Sequence, residues 1–281
     1  MRINIIKNFI FIFAILSIIS QPVFAKNLKF IQITDSHFGL SDAFSTRDTG
    51  NSDKILRKTI DDINGISNVS FVILTGDNID HPNDDELKEY LKRVNKLHVP
   101  YYVVIGNHEA SKSQNLAKPE YMKIVRKYSK NCRAKKPNYV FKKGGIVFIV
   151  ADGAKDIIPG PAGYFRTETL AWLDKQLTKY QKEHVIIFQH FPIEPPYYNR
   201  SHETYNVEEY KKVIQKHNNI IAIISGHYHA NGEKMVDGIY HASGPALIEP
   251  PHDYKIFEIE NITKDVNQKP TIYTQLRHAE F

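Results

Sequence analysis

The chain has 281 residues, of which 42% are hydrophobic and 24% are charged, so it can bury a full core in one large domain or two small ones. This composition excludes an intrinsically disordered chain. The formal charge of +6 is scattered along the sequence, which gives no indication of a nucleic-acid or membrane-binding surface. Cys132 is the only cysteine, so the chain cannot form an internal disulfide.

Residues 1–25 have the pattern of a secretory signal peptide. Arg2 and Lys7 precede an almost unbroken apolar run, and small residues at positions 23 and 25 follow where a signal peptidase cleaves. An uncleaved anchor is disfavoured because the run is short for a membrane span, which needs about 20 residues. We therefore expect an exported protein, periplasmic or secreted, without a stable membrane anchor after cleavage.

Residues 26–281 are expected to form a single domain, whose first part alternates strand-like runs with segments of helical periodicity. Strands are predicted over residues 28–34, 71–75 and 101–105. Ser52 is the expected N-cap of a first helix, and Asn83 that of a second helix over residues 84–97. This βαβαβ order predicts right-handed crossovers and parallel strands.

The second part of the chain is less regular. It contains three predicted helices. One covers residues 119–129, one begins after an N-cap at Thr167, and one covers residues 207–217. Predicted strands cover residues 138–141, 145–150, 184–189 and 220–224. Three further strand-like runs near residues 239–242, 254–259 and 271–276 are expected to complete a sheet with antiparallel pairing.

Side chains of the type that bind metal stand at the ends of five predicted strands. They are Asp35, His37, Asp77, Asn107, His108, His190, His227 and His229. Because strand side chains alternate between faces, residues two apart, such as Asp35 and His37, point the same way. Two carboxylates, four of the five imidazoles and one amide oxygen suit two divalent cations of the Mn, Fe or Zn type.

Each of these residues, taken alone, has a simpler interpretation. The aspartates are favoured helix caps, Asn107 is a favoured turn residue, and a single strand-end histidine such as His190 is often satisfied by the backbone. The recurrence of such residues at five strand ends favours a metal centre over these separate explanations.

The order of these motifs resembles the motif series of the calcineurin-like metallophosphoesterases. The motifs are Asp35-x-His37, Gly76-Asp77, Gly106-Asn107-His108-Glu109, His190 and Gly226-His227-x-His229. The resemblance implies an α/β fold, a four-layer sandwich of two mixed β-sheets flanked by helices.

The resemblance also implies a role for each residue. One metal would be bound by Asp35, His37 and His229, the other by Asn107, His190 and His227, and Asp77 would bridge the two. His108 binds no metal in this family and faces the phosphate. Asp80 resembles the acid that orients that histidine, and Glu109 is expected to brace the loop.

Departures from the family pattern narrow the choice of subgroup. Residues 78–80 contain no tyrosine where purple acid phosphatases carry an iron ligand, and His81-Pro82 stands where protein serine/threonine phosphatases carry Arg-Gly. The chain is similar to the small phosphodiesterase-type members, which include cyclic-nucleotide and glycerophosphodiester hydrolases.

We therefore expect a phosphoesterase with two divalent metal ions that hydrolyses small phosphodiesters. A metal-bound hydroxide would attack phosphorus, and His108 would assist the leaving group. Two alternatives remain open, a broad-specificity phosphomonoesterase and a non-catalytic binding protein on the same fold. The sequence leaves the oligomeric state open.

The loop after His190 is the candidate substrate-binding segment. Tyr197, Tyr198 and Arg200 are expected to stack on a base or pair with a phosphate, although a proline-stiffened loop that packs only on itself explains them equally well. His81 is a candidate rim residue, and His241 and His252 are expected to have no direct role. The other histidines are expected at the surface, namely His98, His184, His202, His217 and His278.

Overall fold

A computed structural model describes residues 26–40, 47–109, 116–132, 134–155 and 160–279. The predicted signal peptide lies outside these ranges. Within them, no helix has both the length and the apolar character needed to cross a membrane.

The described residues form eleven strands and five helices. The strands are β1 (Lys26–Ile33), β2 (Val69–Leu74), β3 (Tyr101–Val103), β4 (Tyr139–Lys143), β5 (Ile146–Val150), β6 (Val185–Phe188), β7 (Ile220–Ser225), β8 (Gly232–Val236), β9 (Ile239–Ser243), β10 (Asp253–Ile262) and β11 (Thr271–His278). The helices are α1 (Ser52–Asn64), α2 (Asp84–Val94), α3 (Lys118–Tyr128), α4 (Thr167–Lys179) and α5 (Val207–Ile214), and a 3-10 turn over Thr49–Asn51 precedes α1.

The strands form two mixed sheets. The five-stranded sheet has the order β11-β10-β1-β2-β3, with β1, β2 and β3 parallel and β10 and β11 antiparallel. The six-stranded sheet has the order β4-β5-β6-β7-β9-β8, with a parallel centre of β5, β6, β7 and β9. The parallel pairing predicted for the first three strands, β1, β2 and β3, is confirmed.

Three hydrophobic cores separate four layers. One core packs α1, α2 and α3 on the five-stranded sheet, a second fills the space between the sheets, and a third packs α4 and α5 on the six-stranded sheet. In the middle core the ring of Phe30 stacks between those of Phe71 and Phe257, at centroid distances of 5.0 and 4.9 Å. The predicted sandwich of two mixed sheets flanked by helices is confirmed.

Some local predictions were wrong. β9 pairs parallel to β7 rather than antiparallel, and β8 was not predicted. Ser52 and Thr167 were predicted as N-caps, but each is the first residue of its helix. The hydroxyl of Ser52 bonds instead to the backbone of Gly39. The cap at Asn83 is confirmed, since its side chain accepts a hydrogen bond from the backbone N–H of Glu86 at 2.8 Å.

Candidate metal centre

The loops that follow five parallel strands meet in the crevice between the two sheets. Strands β1, β2, β3, β6 and β7 lead in turn to Asp35 and His37, Asp77, Asn107, His190, and His227 and His229. Gln32 links the two sheets just below, because its side-chain amide donates to the hydroxyl of Thr75 and to the carbonyl of Ser225. Carboxyl ends of parallel strands are where α/β folds place their ligands, so the crevice collects the predicted residues as expected.

Five of these residues have left-handed backbone conformations. The φ angles of Asp35, His37, Asp77, His227 and His229 are 51°, 37°, 49°, 76° and 52°. Aspartate and histidine are among the non-glycine residues that enter this region most readily, yet the conformation is uncommon and clusters at functional sites. The backbone is therefore bent at these positions so that the side chains converge.

The first group of ligand-type atoms, called the first half-site, comprises Asp35, His37 and His229. Its three ligand atoms lie within 4.8 Å of one another. Nε2 of His37 and Nε2 of His229 are 3.3 Å apart, and Nε2 of His229 lies 3.5 Å from Oδ1 of Asp35. Two imidazole nitrogens and one carboxylate oxygen thus point at a common centre.

The second half-site comprises Asn107, His190 and His227. Nε2 of His190 lies 3.3 Å from Oδ1 of Asn107. Asp77 lies between the half-sites, because its Oδ2 is 3.3 Å from Nε2 of His190 and 3.8 Å from Nε2 of His37. The carboxylate, His190 and His227 also lie within 4.8 Å of one another, so one aspartate is shared by both groups.

In the first half-site each imidazole is anchored through its other nitrogen by a carboxylate. Nδ1 of His37 lies 3.2 Å from Oδ1 of Asp80, and Nδ1 of His229 lies 2.6 Å from Oε1 of Glu249. A carboxylate can only accept, so Nδ1 of His229 carries the proton and its Nε2 presents a lone pair to a cation. The Asp80 carboxylate near Nδ1 of His37 favours the same tautomer there.

In the second half-site the anchors are backbone carbonyls. Nδ1 of His190 donates to the carbonyl of Thr75 at 2.8 Å, which leaves Nε2 as the ligand atom. Nε2 of His227 donates to the carbonyl of His202 at 3.2 Å, which leaves Nδ1. Three of the four histidines, His190, His227 and His229, therefore have the second hydrogen bond that metal-ligating imidazoles almost always make. The Nδ1 of His37 has a carboxylate oxygen at ion-pair distance instead.

The residues present fit divalent cations. Oδ2 of Asp35 accepts from the hydroxyl of Thr34 at 2.6 Å and from the backbone N–H of His227 at 3.0 Å. Its other oxygen, Oδ1, is buried, and no described residue gives it a hydrogen bond. A buried carboxylate oxygen aimed at imidazole lone pairs calls for a cation, and mixed oxygen and nitrogen donors suit Mn, Fe or Zn.

The charges of the site are consistent with this fit. Burial alone would raise the pKa of Asp77, but the neighbouring His190 and His108 hold it well below its usual value. Burial lowers the pKa of His37 to about 4 and that of His227 to about 3, so both imidazoles are neutral. Against the effect of burial, neighbouring carboxylates raise the pKa of His190 to about 9 and of His229 to about 10. A cation at these two imidazoles competes with a proton.

Two glycines of the motifs allow the strand ends to approach one another closely. Gly76 has a φ of +95°, and a Cβ there would lie 2.4 Å from Nδ1 of His190. A Cβ at Gly226 would lie 2.0 Å from Oγ1 of Thr34 and 2.6 Å from Oδ2 of Asp35. Any side chain at either position would displace a ligand or its support, which explains glycine there.

Glu109 braces the loop after β2. Its buried carboxylate accepts hydrogen bonds from the backbone N–H groups of Asp77, Asn78, Ile79 and Gly106. The loop that carries Asp77 is thus tied to the loop that carries Asn107. Glu109 supports both half-sites without contributing a ligand atom, which agrees with the role predicted from the sequence.

His108 lies beside the ligands and is partly exposed to the crevice. Its backbone N–H donates to Oδ1 of Asp77 at 2.9 Å, and its Nδ1 donates to the backbone carbonyl of Asp80 at 2.7 Å. The Asp80 carboxylate is 4.0 Å from the same nitrogen and much nearer to His37. The orienting group predicted for His108 is therefore the carbonyl of Asp80, and its carboxylate orients His37 instead. A third group of close ligand atoms, in His37, Asp77 and His108, is also present.

Arg47 is a residue of the site that the sequence did not reveal. Its Nη1 lies 3.0 Å from Oδ1 of Asp80 and the side chain lines the crevice. It follows the polar loop after β1, where no periodicity or motif distinguishes it. Glu249 was missed for the same reason, since its segment before β10 carries no metal-type pattern.

The crevice opens into a cavity of about 920 Å³. Tyr197 lines it, and its hydroxyl donates to the carbonyl of Tyr228 at 2.9 Å. Tyr198 is 77% exposed and Arg200 is also exposed, and neither is among the described residues that line the cavity. Of the three predicted substrate residues the structure thus places one at the site. His81 lies on the rim as expected.

Three histidines expected at the surface are placed differently. His184 is buried, and its carbonyl accepts a hydrogen bond from the backbone N–H of Val147 in the six-stranded sheet. His202 is half-buried and lines the crevice, with its ring 5.0 Å from that of His227. His217 is half-buried because it pairs with Asp174 at 2.7 Å.

A family model described as calcineurin-like phosphoesterase matches residues 28–231. The chain belongs to this family. The resemblance inferred from the motifs is therefore confirmed, and the chain is a metal-dependent phosphoester hydrolase.

Curated relatives include both phosphatases and phosphodiesterases. The human protein named serine/threonine-protein phosphatase CPPED1 is 27% identical over 232 residues, which cover 72% of this chain and 69% of that protein. A "probable cyclic nucleotide phosphodiesterase" of Colwellia psychrerythraea is 25% identical over 217 residues and 76% of each chain. A "probable glycerophosphodiester phosphodiesterase GpdQ" of Arcobacter nitrofigilis is 26% identical over 170 residues and 56% of each chain.

Solved structures share the fold. A dimetal phosphatase from Danio rerio superposes with a TM-score of 0.68 at 18% identity, and covers 90% of this chain and 99% of that one. A purple acid phosphatase from yellow lupin superposes with a TM-score of 0.61 at 14% identity, and covers 90% of this chain and 52% of that one. At these identities the likeness concerns the fold alone.

Proposed function

We propose that the chain hydrolyses small phosphodiesters with two divalent cations of the Mn, Fe or Zn type. The observation that carries the proposal is the position of Asp77, whose Oδ2 lies 3.3 Å from Nε2 of His190 and 3.8 Å from Nε2 of His37. A carboxylate shared by two groups of nitrogen and oxygen donors is the arrangement that a two-metal hydrolase requires.

When bound, the cations would hold the phosphate oxygens and provide a hydroxide at neutral pH by lowering the pKa of water. The chain's own residues fix where this happens. The carbonyl and carboxylate anchors keep three imidazoles in one tautomer, and Glu109 holds the two central loops together. The site is therefore preorganised before substrate arrives.

His108 is placed to protonate the leaving oxygen. Its Nδ1 is held by the carbonyl of Asp80, so Nε2 is the nitrogen left for exchange with the substrate. As the bond from phosphorus to the leaving oxygen breaks, a proton passes from Nε2 to that oxygen. Because the carbonyl accepts from Nδ1, it also fixes the orientation of the ring.

The charge of the cavity supports a diester rather than a monoester. Arg47 is the only lysine or arginine among the described residues that line it, and its guanidinium is paired with Asp80. Glu249 adds a negative charge to the same wall. A phosphodiester carries one negative charge and a monoester up to two, so this wall disfavours the monoester more strongly.

The test is to remove metal from the purified protein with a chelator and to add back Mn, Fe or Zn singly. Turnover of a bis-aryl phosphate is then compared with that of the matching mono-aryl phosphate. We expect restored activity and a higher kcat/KM for the diester. Absence of turnover with every metal would contradict the enzymatic proposal, and faster cleavage of the monoester would reverse the substrate preference.

A second candidate is hydrolysis of phosphomonoesters. It is favoured by the human relative, whose name assigns it to the serine/threonine-protein phosphatases. The same experiment separates the two when a phosphoserine peptide is included. A non-catalytic binding protein is disfavoured, because all seven predicted ligands are present and converge.

We also propose that residues 1–25 direct export to the periplasm or the medium, and that residues 26–281 act as a single domain. The support is the charge and hydropathy pattern of the first residues. Mass spectrometry of the exported protein should give a chain that begins at Lys26. An intact Met1 on all exported protein would contradict cleavage, and two separate unfolding transitions would contradict a single domain.

A further inference from the structure

The positive charge of the chain is concentrated in one segment, contrary to the scattered charge expected from the sequence as a whole. Residues 118–143 contain ten lysines and arginines and a single acid, Glu120. The rest of the chain contains 27 lysines and arginines and 30 acids. The segment therefore has a formal charge of +9, and the remainder of the chain is slightly negative.

This segment lies along one side of the sandwich. β3 and β4 are each the last strand of their sheet, and the hydroxyl of Tyr139 in β4 bonds to the backbone of Val103 in β3. The segment begins as α3, which packs on the five-stranded sheet, and ends as β4, at the edge of the six-stranded sheet. Its cations therefore run along the side of the molecule where both sheets end.

Six exposed cations of the segment form a surface called the basic face, namely Lys123, Arg126, Lys127, Lys130, Lys135 and Lys136. The first three stand on the outer side of α3, because Tyr121, Ile124 and Val125 pack into the core. Among the described residues, no carboxylate lies within ion-pair distance of five of the six, namely Lys123, Arg126, Lys127, Lys135 and Lys136. The positive charge of this surface is thus not neutralised by the chain itself.

The groove between α2 and α3 adds to the basic face. Four lysines line it, and Glu89 is the one acid among the described residues that do so. Acids of α2 pair with two of these lysines, Lys88 and Lys92, so the groove contributes only part of its charge. Tyr128 also lines the groove and is 40% exposed, which places an aromatic ring beside the cations.

Unpaired cations on one side of a protein repel one another and attract an anionic surface. The attraction acts within the Debye length, which is about 8 Å at physiological ionic strength, so it requires close contact with a surface that carries many negative charges. A clustered set of lysines is the feature that binds proteins to anionic membranes in this way. The partner of the basic face is therefore an extended polyanion.

The side chains favour a lipid surface over a nucleic acid. Five of the six cations of the basic face are lysines, which lack the planar fork with which arginine binds a single phosphate through two hydrogen bonds. A site for single strands stacks successive bases on several aromatic rings, yet Tyr128 is the one exposed aromatic side chain of this segment among the described residues. A tyrosine among lysines is suited to the headgroup level of a membrane, where its ring has one apolar and one polar end.

We propose that the basic face docks the protein on an anionic phospholipid surface. The cations contact the headgroup phosphates, and Tyr128 lies at the headgroup level. None of the cations of the basic face lines the crevice of the metal centre. The proposal is therefore independent of the function proposed for that centre, and turnover of a soluble substrate should not depend on docking.

Vesicles of phosphatidylcholine, with and without about one third phosphatidylglycerol, are the probes. The protein purified after export is sedimented with each at about 0.1 M NaCl. We expect binding to the mixed vesicles alone, and release at about 1 M NaCl, where the Debye length falls to about 3 Å. Equal binding to the neutral vesicles would overturn the proposal, as would binding that persists at high salt.

Two double variants with the same change of charge locate the contact. Lys123→Glu with Lys127→Glu reverses two charges of the basic face and should weaken binding to the mixed vesicles at least about tenfold. Lys175→Glu with Lys179→Glu on α4 is the matched control, with exposed lysines at the same spacing. Lys127 and Lys179 each lie over the ring of the tyrosine that follows, at 5.2 and 4.9 Å, so both variants lose the same contact.

The control should bind as the wild type does, and both variants should keep wild-type turnover and thermal unfolding. Equal weakening by the two double variants would show that net charge alone is responsible and would overturn the proposal.

Glu120→Gln should act in the opposite direction, because Glu120 is exposed on the same side of α3 as Lys123 and Lys127. We expect binding to the mixed vesicles to strengthen about two- to fivefold. Unchanged or weaker binding would contradict the placement of α3 at the membrane.

A competition experiment distinguishes lipid from nucleic acid. Short single- and double-stranded oligonucleotides are added to the protein on mixed vesicles, at a phosphate concentration equal to that of the anionic lipid. The protein should remain on the vesicles. Its displacement by either oligonucleotide would make nucleic acid the preferred partner and overturn the proposal.

Discussion

The two half-sites differ in what holds their histidines. In the first, carboxylates of Asp80 and Glu249 anchor His37 and His229, at 3.2 and 2.6 Å. In the second, the backbone carbonyls of Thr75 and His202 anchor the imidazoles, at 2.8 and 3.2 Å. The remaining ligand is also different, since Asp35 is charged and Asn107 is not.

This difference gives the half-sites unequal charge around the shared Asp77. The first has three further carboxylates on or directly behind its ligands, and the second has none among the described residues. Nearby negative charge attracts a cation, and a carboxylate hydrogen-bonded to an imidazole makes that imidazole a stronger metal ligand. We therefore expect the first half-site to bind its cation more tightly, and the second to be the site that fills last.

Asp77→Asn should have the largest effect, because it removes the one charge that both half-sites share. We expect both cations to be lost together and turnover of a bis-aryl phosphate to fall by about 10³-fold or more. Metal content per chain, measured by plasma mass spectrometry after gel filtration, checks this. Asp61→Asn, an exposed carboxylate on α1, is the matched control. Retention of two cations by Asp77→Asn would show that Asp77 is not shared.

His108→Ala should separate chemistry from metal binding, because His108 belongs to neither half-site. We expect two cations per chain as in the wild type, and a fall in kcat of about 10²–10⁴-fold that is greatest for poor leaving groups. The loss is compared across aryl leaving groups of graded pKa. If the variant binds only one cation, the close group formed by His37, Asp77 and His108 is itself a metal site and the assigned role is wrong.

Glu249→Gln tests directly whether the two half-sites bind metal with unequal affinity. It keeps the side-chain volume and removes the charge behind His229, so metal affinity at the first half-site should fall about 10–100-fold while the second is little changed. His202→Ala is the matched control, because the anchor of His227 is a backbone carbonyl that the substitution retains. Titration of the stripped variants with Zn, followed by calorimetry, measures both sites. Equal losses at the two half-sites would refute the inequality.

Tyr197→Ala should have the smallest effect and concerns only the rim. Tyr197 lines the cavity and is bonded to Tyr228, so its removal should raise KM for a bis-aryl phosphate a few-fold with little change in kcat. Tyr198→Ala, at a 77% exposed position of the same loop, should change neither constant. Steady-state kinetics of the two variants decide whether the loop contacts substrate.

The centre of the site was predictable because each ligand follows a run of apolar residues. Such runs identify parallel strands, and parallel strands bring their carboxyl ends to one edge. Asp35 and His227 are 192 positions apart in the chain, yet the backbone N–H of His227 donates to Asp35. This rule of sheet topology is sufficient to predict that motifs far apart in the sequence meet at one site.

The supports of the site were not predictable in the same way. Arg47 and Glu249 lie in segments without periodicity, and their positions depend on how loops fold over the crevice. Asp80 was correctly predicted to lie beside His108, but the sequence could not show that its backbone carbonyl, and not its carboxylate, makes the hydrogen bond. Hydrogen-bond partners of this kind depend on side-chain direction, which residue type and spacing do not determine.

Edge strands show a similar limit. β9 was expected to be antiparallel, but the hairpin of β8 and β9 returns the chain so that β9 lies parallel to β7. The polar residues of β8 conceal its strand character, because an edge strand exposed to water needs little apolar alternation. Strands in the centre of the sheets were identified more reliably because they are buried on both faces.

The most direct test of the shared-carboxylate centre is a Mn titration of the stripped wild-type protein, with metal binding, EPR and bis-aryl phosphate turnover followed on the same samples. We predict two Mn per chain in two steps of unequal affinity, a spin-coupled signal on the second step, and full activity only with both ions bound. Saturation at one Mn per chain with full activity would contradict the shared-carboxylate centre.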